Sequence, residues 1–133
     1  MIVVDTNTIA ALYLHNDYSR ATEQLWGKDP LWAVPVLWRS EFLSVLTQYI
    51  RKGLLSLEDA ALIAGESENA IEAEYQVPSS AVLACSSSSG CSSYDCEFIV
   101  LAEHLGVPLV SLDQQISREH PGTAVALEEF LGH

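Results

Sequence analysis

The clearest deficit in this sequence is positive charge. Two lysines and four arginines stand against 18 acidic residues, which gives a net charge of −12. A protein that binds nucleic acid without sequence preference needs a basic surface that releases counterions from phosphates. The composition therefore excludes a general nucleic-acid-binding protein, and it favours a basic protein partner for much of the surface.

Long apolar runs and paired cysteines are also absent. Although 49% of the residues are hydrophobic, no segment approaches the roughly 18 consecutive apolar residues of a membrane span, and no basic stretch precedes an apolar one at the N-terminus. The three cysteines, Cys85, Cys91 and Cys96, are an odd number and cannot form a complete disulfide framework. We expect a cytoplasmic protein with reduced, buried thiols and no membrane association.

Apolar strand patterns alternate with helical patterns along the whole chain, and no long linker separates them. A length of 133 residues fits a single domain, residues 1–133, of the α/β class. Two of the apolar runs, residues 1–4 and 107–112, end on an acid, Asp5 and Asp113 respectively, and helix-compatible residues follow each. Ligands bind outside the carboxyl ends of strands in open α/β sheets, so we expect these two acids to converge.

Two further acids lie near predicted helix starts. A helix is expected to begin with Pro35 in its first turn, which would place Glu41 about two turns into it. A second helix, capped by Ser93 and ended by Gly106, has Asp95 in its first turn. The first of these helices follows a strand-like segment and the second begins after the serine-rich stretch 86–93, and both acids are candidates for the same edge of the sheet.

Four carboxylates at one edge would repel one another unless a cation neutralised them. Mg²⁺ and Mn²⁺ prefer hard oxygen ligands and fit a site without histidine or cysteine far better than zinc does. Such a metal acidifies a water into a nucleophile, and two metals can stabilise both oxygens of a phosphodiester displacement. The pattern therefore favours metal-dependent hydrolysis of phosphodiesters.

The residues around these acids closely resemble the PIN-domain ribonucleases, and among them the VapC-type toxins. The matching segments are residues 2–7, the Glu41 helix after Pro35, residues 93–98 with 101–103, and residues 110–113. Together they cover nearly the whole chain, with all four acids in order.

The resemblance implies a PIN-like, Rossmann-like α/β/α sandwich with a central parallel sheet. It implies a Mg²⁺- or Mn²⁺-dependent endoribonuclease that acts on RNA, forms a homodimer and is neutralised by a cognate antitoxin protein. By position, it gives metal-binding and catalytic roles to Asp5, Glu41, Asp95 and Asp113. It gives supporting roles, in orienting carboxylates or metal-bound waters, to Thr6, Asn7 and Ser111.

Several residues allow two interpretations from sequence alone. Arg39 either contacts a substrate phosphate or pairs with an acid such as Glu41 or Glu119. The three tryptophans could stack on bases, but their positions near strands and on helix faces favour the core or a dimer interface. Glu97 lies two residues past Asp95 and is expected on a different face of the helix.

Two other functions remain open at this point. A strand-end aspartate could act as a nucleophile or phosphate acceptor. Such a site normally needs a lysine beside the phosphate, but Lys28 and Lys52 are both expected just after helices. In addition, Asn7 replaces the second acid of an Asp-x-Asp motif. Alternatively, a catalytically silent PIN-fold module could use its acidic face to bind a basic protein partner. The intact set of acids favours the ribonuclease over both.

Overall fold

A computed structural model describes residues 1–132 and shows five parallel strands flanked by helices. The elements in chain order are β1 (Ile2–Val4), α1 (Thr6–Tyr13), α2 (Ser19–Lys28), β2 (Trp32–Pro35), α3 (Trp38–Arg51), α4 (Leu57–Ala70), β3 (Ala73–Tyr75), α5 (Ser79–Ser87), α6 (Ser93–Leu105), β4 (Leu109–Ser111), α7 (Gln114–Glu119), β5 (Ala124–Ala126) and α8 (Leu127–Leu131).

The strand order is β3-β2-β1-β4-β5, so the chain winds outward from β1 in one direction and then in the other. The central strand pairs in parallel with β2 through Val3 and Ala33 and with β4 through Val3 and Leu109. A doubly wound sheet of this kind has its switch point between β1 and β4. The residues that follow these two strands, Asp5 and Asp113, therefore lie on either side of the crevice where such folds bind ligands.

The core lies on both faces of the sheet. Every residue of β1, β2 and β4 is buried, as expected for parallel strands covered by helices. Trp32 and Trp38 are 2% and 0% exposed, and Trp26 packs edge-on against Trp32 with ring centroids 4.9 Å apart. The tryptophans thus belong to the core or pack against it, as the sequence favoured.

The structure corrects two predicted helix starts. Pro35 is the last residue of β2, where it pairs with Tyr75 of β3, so α3 begins only at Trp38 and Glu41 lies in its first turn. Pro35 lacks an N–H, but the strand end tolerates this because the next amide, that of Val36, donates to the Tyr75 carbonyl at 2.9 Å. The cap of α6 is Ser92 rather than Ser93.

The thiols behave as the sequence indicated. Cys91 and Cys96 are buried, Cys85 is partly buried, and all three are free. Burial raises the pKa of Cys85 and of Cys91 to about 12, so both remain neutral at physiological pH. Among residues 1–132, no helix is both long enough and apolar enough to cross a membrane.

A cluster of hydrogen bonds joins α7 to the serine-rich turn before α6. The Glu119 carboxylate accepts the Gly90 N–H at 2.9 Å, the Gln115 amide at 3.1 Å and the Cys91 thiol at 3.2 Å. Gln115 also donates to the Gly90 carbonyl at 3.2 Å. A Cβ atom on Gly90 would lie only 2.7 Å from Glu119 Oε1, so any other residue at this position would force the Glu119 side chain to move.

Replacing Gly90 with alanine should therefore lower the free energy of unfolding by about 1 kcal/mol, because the Glu119 carboxylate must leave its donors. The matched control is Gly65→Ala in α4, where a Cβ would meet nothing within 4 Å. That change should raise stability by up to about 1 kcal/mol through helix propensity. Urea unfolding measures the stability of both variants. A Gly90→Ala variant as stable as Gly65→Ala would contradict the prediction.

Candidate active site

All four predicted acids line one small pocket at the carboxyl edge of the sheet. The pocket has a volume of about 70 Å³, and its lining is Asp5, Thr6, Asn7, Glu41, Asp95, Phe98, Asp113 and Ile116. We call this the acid pocket. At roughly 30 Å³ for each water molecule, it has room for about two waters, or for a small cation with one water.

Each acid belongs to the start of a different helix. Asp5 follows β1 and caps α1, and Asp113 follows β4 and caps α7. Glu41 and Asp95 lie in the first turns of α3 and α6. Helix N-termini carry partial positive charge and favour nearby carboxylates, which offsets part of the cost of gathering four acids.

Asp5 is the most tightly held of the four, and it is only 7% exposed. One carboxylate oxygen accepts the Thr8 hydroxyl at 2.6 Å and the Thr8 N–H at 3.1 Å, and the other accepts the Ser111 hydroxyl. Burial raises the pKa of Asp5, these hydrogen bonds oppose the rise, and the charge of Asp113 adds to it. The net direction is upward, so deprotonation of Asp5 is disfavoured without a neutralising cation.

The other acids show the same conflict between charge and burial. The Thr6 hydroxyl donates to Glu41 at 2.7 Å, but burial, and then the charges of Asp95, Asp5 and Glu97, raise the pKa of Glu41. Burial, followed by the charges of Asp113 and Asp5, raises the pKa of Asp95.

The predicted supporting residues differ in what they touch. Thr6 donates to Glu41, while Ser111 donates to Asp5 and also accepts the Asp113 N–H at 2.9 Å. Asn7 lines the acid pocket, but within residues 1–132 its side chain makes no hydrogen bond to any of the acids. The sequence reasoning missed Thr8, although a hydroxyl three residues after a capping aspartate is a recognisable pattern.

Arg39 lies outside the acid pocket. Its guanidinium makes a two-pronged contact with Glu74 of β3, at 2.8 and 2.6 Å, and a further ion pair with Glu68 at 3.2 Å. An acidic partner was one of two alternatives that the sequence left open, and the acids suggested for it, Glu41 and Glu119, were wrong. The pairing of β2 with β3 brings Glu74 beside the start of α3, which local sequence could not show.

The donor chemistry of the acid pocket fits a hard divalent cation. Its polar lining consists of four carboxylates, one hydroxyl and one amide, with no lysine, arginine or histidine to neutralise the charge. In the described part of the chain, however, no three acidic, cysteine or histidine side chains already form a cluster that could hold a metal. The structure thus shows the carboxylates at one pocket but not a formed coordination shell.

Comparison with known proteins shows the family to which this chain belongs. Residues 2–119 match the family described as PIN domain. The chain belongs to the PIN domain family. The Ribonuclease VapC3 of Pyrobaculum aerophilum is 27% identical over 124 residues, covering 90% of this chain and 95% of the relative.

Solved structures agree with this assignment at the level of the fold. The crystal structure of PAE2754 from Pyrobaculum aerophilum superposes with a TM-score of 0.76 at 23% identity, covering 98% of this chain and 93% of the other. A chain of a toxin-antitoxin complex from Klebsiella pneumoniae superposes with a TM-score of 0.64 at 13% identity, covering 96% and 98%. The predicted PIN-like α/β/α sandwich is confirmed.

The free energy of unfolding of the metal-free PIN domain should rise as the pH falls from neutral to about 5. The folded protein holds the pKa values of Asp5, Glu41 and Asp95 above their unfolded values. It therefore binds more protons than the unfolded chain in this range, and the added stability is lost as the pH rises through the raised values.

Urea unfolding in the presence of chelator at several pH values measures this effect. The Glu41→Gln variant removes one repelled charge while its side chain can still accept from Thr6, so it should show a weaker pH dependence. Glu74 opposes the trend only at lower pH, because Arg39 lowers the pKa of Glu74. A stability that stays flat or falls between neutral pH and about 5 would show that burial and neighbouring charges do not raise the pKa values of these acids as described.

Proposed function

We propose that this PIN domain is a Mg²⁺- or Mn²⁺-dependent endoribonuclease and the toxin of a toxin–antitoxin pair. The observation that carries the proposal is the convergence of Asp5, Glu41, Asp95 and Asp113 on one pocket whose lining has no positive side chain. A relative that is 27% identical to this chain, over an alignment that spans 95% of the relative, bears the name ribonuclease. This name supports RNA as the substrate.

In this proposal, the four acids hold the cation. A divalent metal bound there would acidify a water and offset negative charge at the reacting phosphodiester. The chain's own contribution is orientation, because the hydroxyls of Thr8 and Ser111 fix both oxygens of Asp5. Thr6 holds Glu41 in the same way, so these carboxylates are aimed before any ligand enters.

The acid pocket also explains how a chain of net charge −12 could act on RNA. The protein has too few basic residues to attract a polyanion over a broad surface, so substrate affinity would depend on the bound cation and on local contacts. A substrate contact by Arg39 remains a prediction, and it would require that the guanidinium shift from Glu74 or share it.

The partner proposals depend on charge and on the compared structures. A basic segment of a cognate antitoxin would complement the acidic surface, and a toxin-antitoxin complex contains a chain of the same fold. Homodimerisation, which the resemblance to VapC-type toxins implies, and a cytoplasmic location, which the odd number of cysteines favours, belong to the same proposal.

Cleavage of total cellular RNA tests the proposal directly. The wild-type protein, freed of any copurifying partner, should cut RNA with Mg²⁺ or Mn²⁺ and not with chelator. Asp5→Asn and Asp95→Asn should each slow cleavage by at least about 100-fold, because each removes a ligand charge from the acid pocket.

The matched control is Glu72→Gln, which removes one negative charge from an exposed residue outside the acid pocket. This variant should cleave at the wild-type rate. Cleavage that survives both aspartate substitutions would contradict the proposed mechanism. If no RNA is cut under any condition while a basic partner still binds, the silent PIN-fold module would replace the ribonuclease.

A further inference from the structure

A second and larger pocket opens directly beside the acid pocket. It has a volume of about 350 Å³, at the small end of the range for ligand sites in proteins. Its polar and aromatic lining is Asn7, Asn16, Tyr18, Tyr49 and Asp113, with aliphatic side chains between them. We call this the side pocket. It shares Asn7 and Asp113 with the acid pocket, so a group bound in one lies next to the other.

The chemistry of the side pocket differs from that of the acid pocket. Its only charged lining residue is Asp113, which the two pockets share, and none of the described residues that line it is basic. A phosphate would find no positive partner there. A basic side chain would bind more favourably at the four carboxylates of the acid pocket. The lining instead suits a neutral group with an apolar face and a polar edge.

Three polar side chains of the side pocket, those of Asn7, Tyr18 and Tyr49, are available for a ligand. Tyr18 is 52% exposed. Across residues 1–132, the side chain of Asn7 and the hydroxyls of Tyr18 and Tyr49 make no hydrogen bond within the chain. Amides that hydrogen-bond base edges and rings that stack on base faces are the usual means by which proteins bind unpaired bases.

The wall that carries Tyr18 is braced in the free protein. The Asn16 side-chain oxygen accepts the Tyr18 N–H at 2.8 Å, and the Ser19 hydroxyl accepts the Asn16 N–H at 3.0 Å. The same hydroxyl donates to the Leu14 carbonyl at 2.9 Å. The backbone at Tyr18 is therefore fixed before binding, which reduces the entropy that a ligand must offset.

We propose that the side pocket binds one unpaired nucleobase of single-stranded RNA, beside the phosphodiester positioned at the acid pocket. Tyr18 supplies the stacking surface, and Asn7 and Asn16 supply donors and acceptors for the edge of the base. This inference rests on the proposed ribonuclease function and adds to it a place where base preference at the cut arises.

The test uses a short single-stranded oligonucleotide that spans the most frequent cut mapped in total RNA. Two further oligonucleotides carry an abasic nucleotide immediately before or immediately after the cut. The kcat/KM values with Mn²⁺ are compared for the wild type, Tyr18→Leu and Tyr18→Phe. Tyr18 is half-exposed, so the variants should fold, and circular dichroism checks that they do.

Tyr18→Leu should lower kcat/KM on the intact oligonucleotide by about five- to tenfold, the lower end for the loss of one base–aromatic stack. Tyr18→Phe should cleave nearly as well as the wild type because the ring is retained. One of the two abasic oligonucleotides should lower the kcat/KM of the wild type by a similar factor. The same abasic nucleotide should not lower the kcat/KM of Tyr18→Leu further, because that variant has already lost the contact with the base.

The matched control is Tyr94→Leu, since Tyr94 is 59% exposed and lines neither pocket. In this variant, the ratio of kcat/KM on the intact oligonucleotide to kcat/KM on each abasic oligonucleotide should equal that of the wild type. If the losses from Tyr18→Leu and the abasic site simply multiply, the inference is wrong while the ribonuclease stands. If Tyr18→Leu leaves cleavage unchanged but releases a copurifying protein, the pocket serves a protein partner. A wild type that cuts no RNA would overturn both proposals.

Discussion

The gathering of four carboxylates in one partly buried pocket is the constraint on which this structure depends. Asp5, Glu41 and Asp95 all have raised pKa values, in each case through burial first and neighbouring acids second. A protein that was selected for stability alone would not keep these charges at one edge of its sheet. The fold tolerates them because helix N-termini face the acid pocket and because hydroxyls hold the carboxylates.

The doubly wound topology explains why the site lies where it does. The side of the sheet to which successive strands are added changes between β1 and β4. The carboxyl ends of these two parallel strands place Asp5 and Asp113 at the same crevice. Ser111, the last residue of β4, links the two acids by donating to one and accepting from the backbone of the other. The acid pocket is therefore built largely from strand ends and helix starts, which rigid packing holds in place, and the side pocket extends it toward the turn between α1 and α2.

Local sequence patterns predicted the parts of this site that depend on strand ends and caps. Asp5 and Asp113 were recognisable because each closes an apolar run and opens a helix. The start of α3 was misplaced because proline favours a first helical turn, whereas pairing with Tyr75 keeps Pro35 in the sheet. The partner of Arg39 depends on contact between β2 and β3 and so could not be read locally. The last strand, β5, has one β-branched residue, Val125, and exists through its pairing with β4.

Calorimetric titration of the metal-free protein with Mn²⁺ measures whether the four carboxylates form one cation site. We expect saturable binding to the wild type and to Glu72→Gln, and an affinity weaker by about tenfold or more in Glu41→Gln and in Asp113→Asn. The loss should be largest for Asp5→Asn, because Asp5 is the acid that the surrounding hydroxyls orient most completely. Equal affinity in the wild type and in all of these variants would show that the cation binds elsewhere on the acidic surface and that the four carboxylates do not form its site.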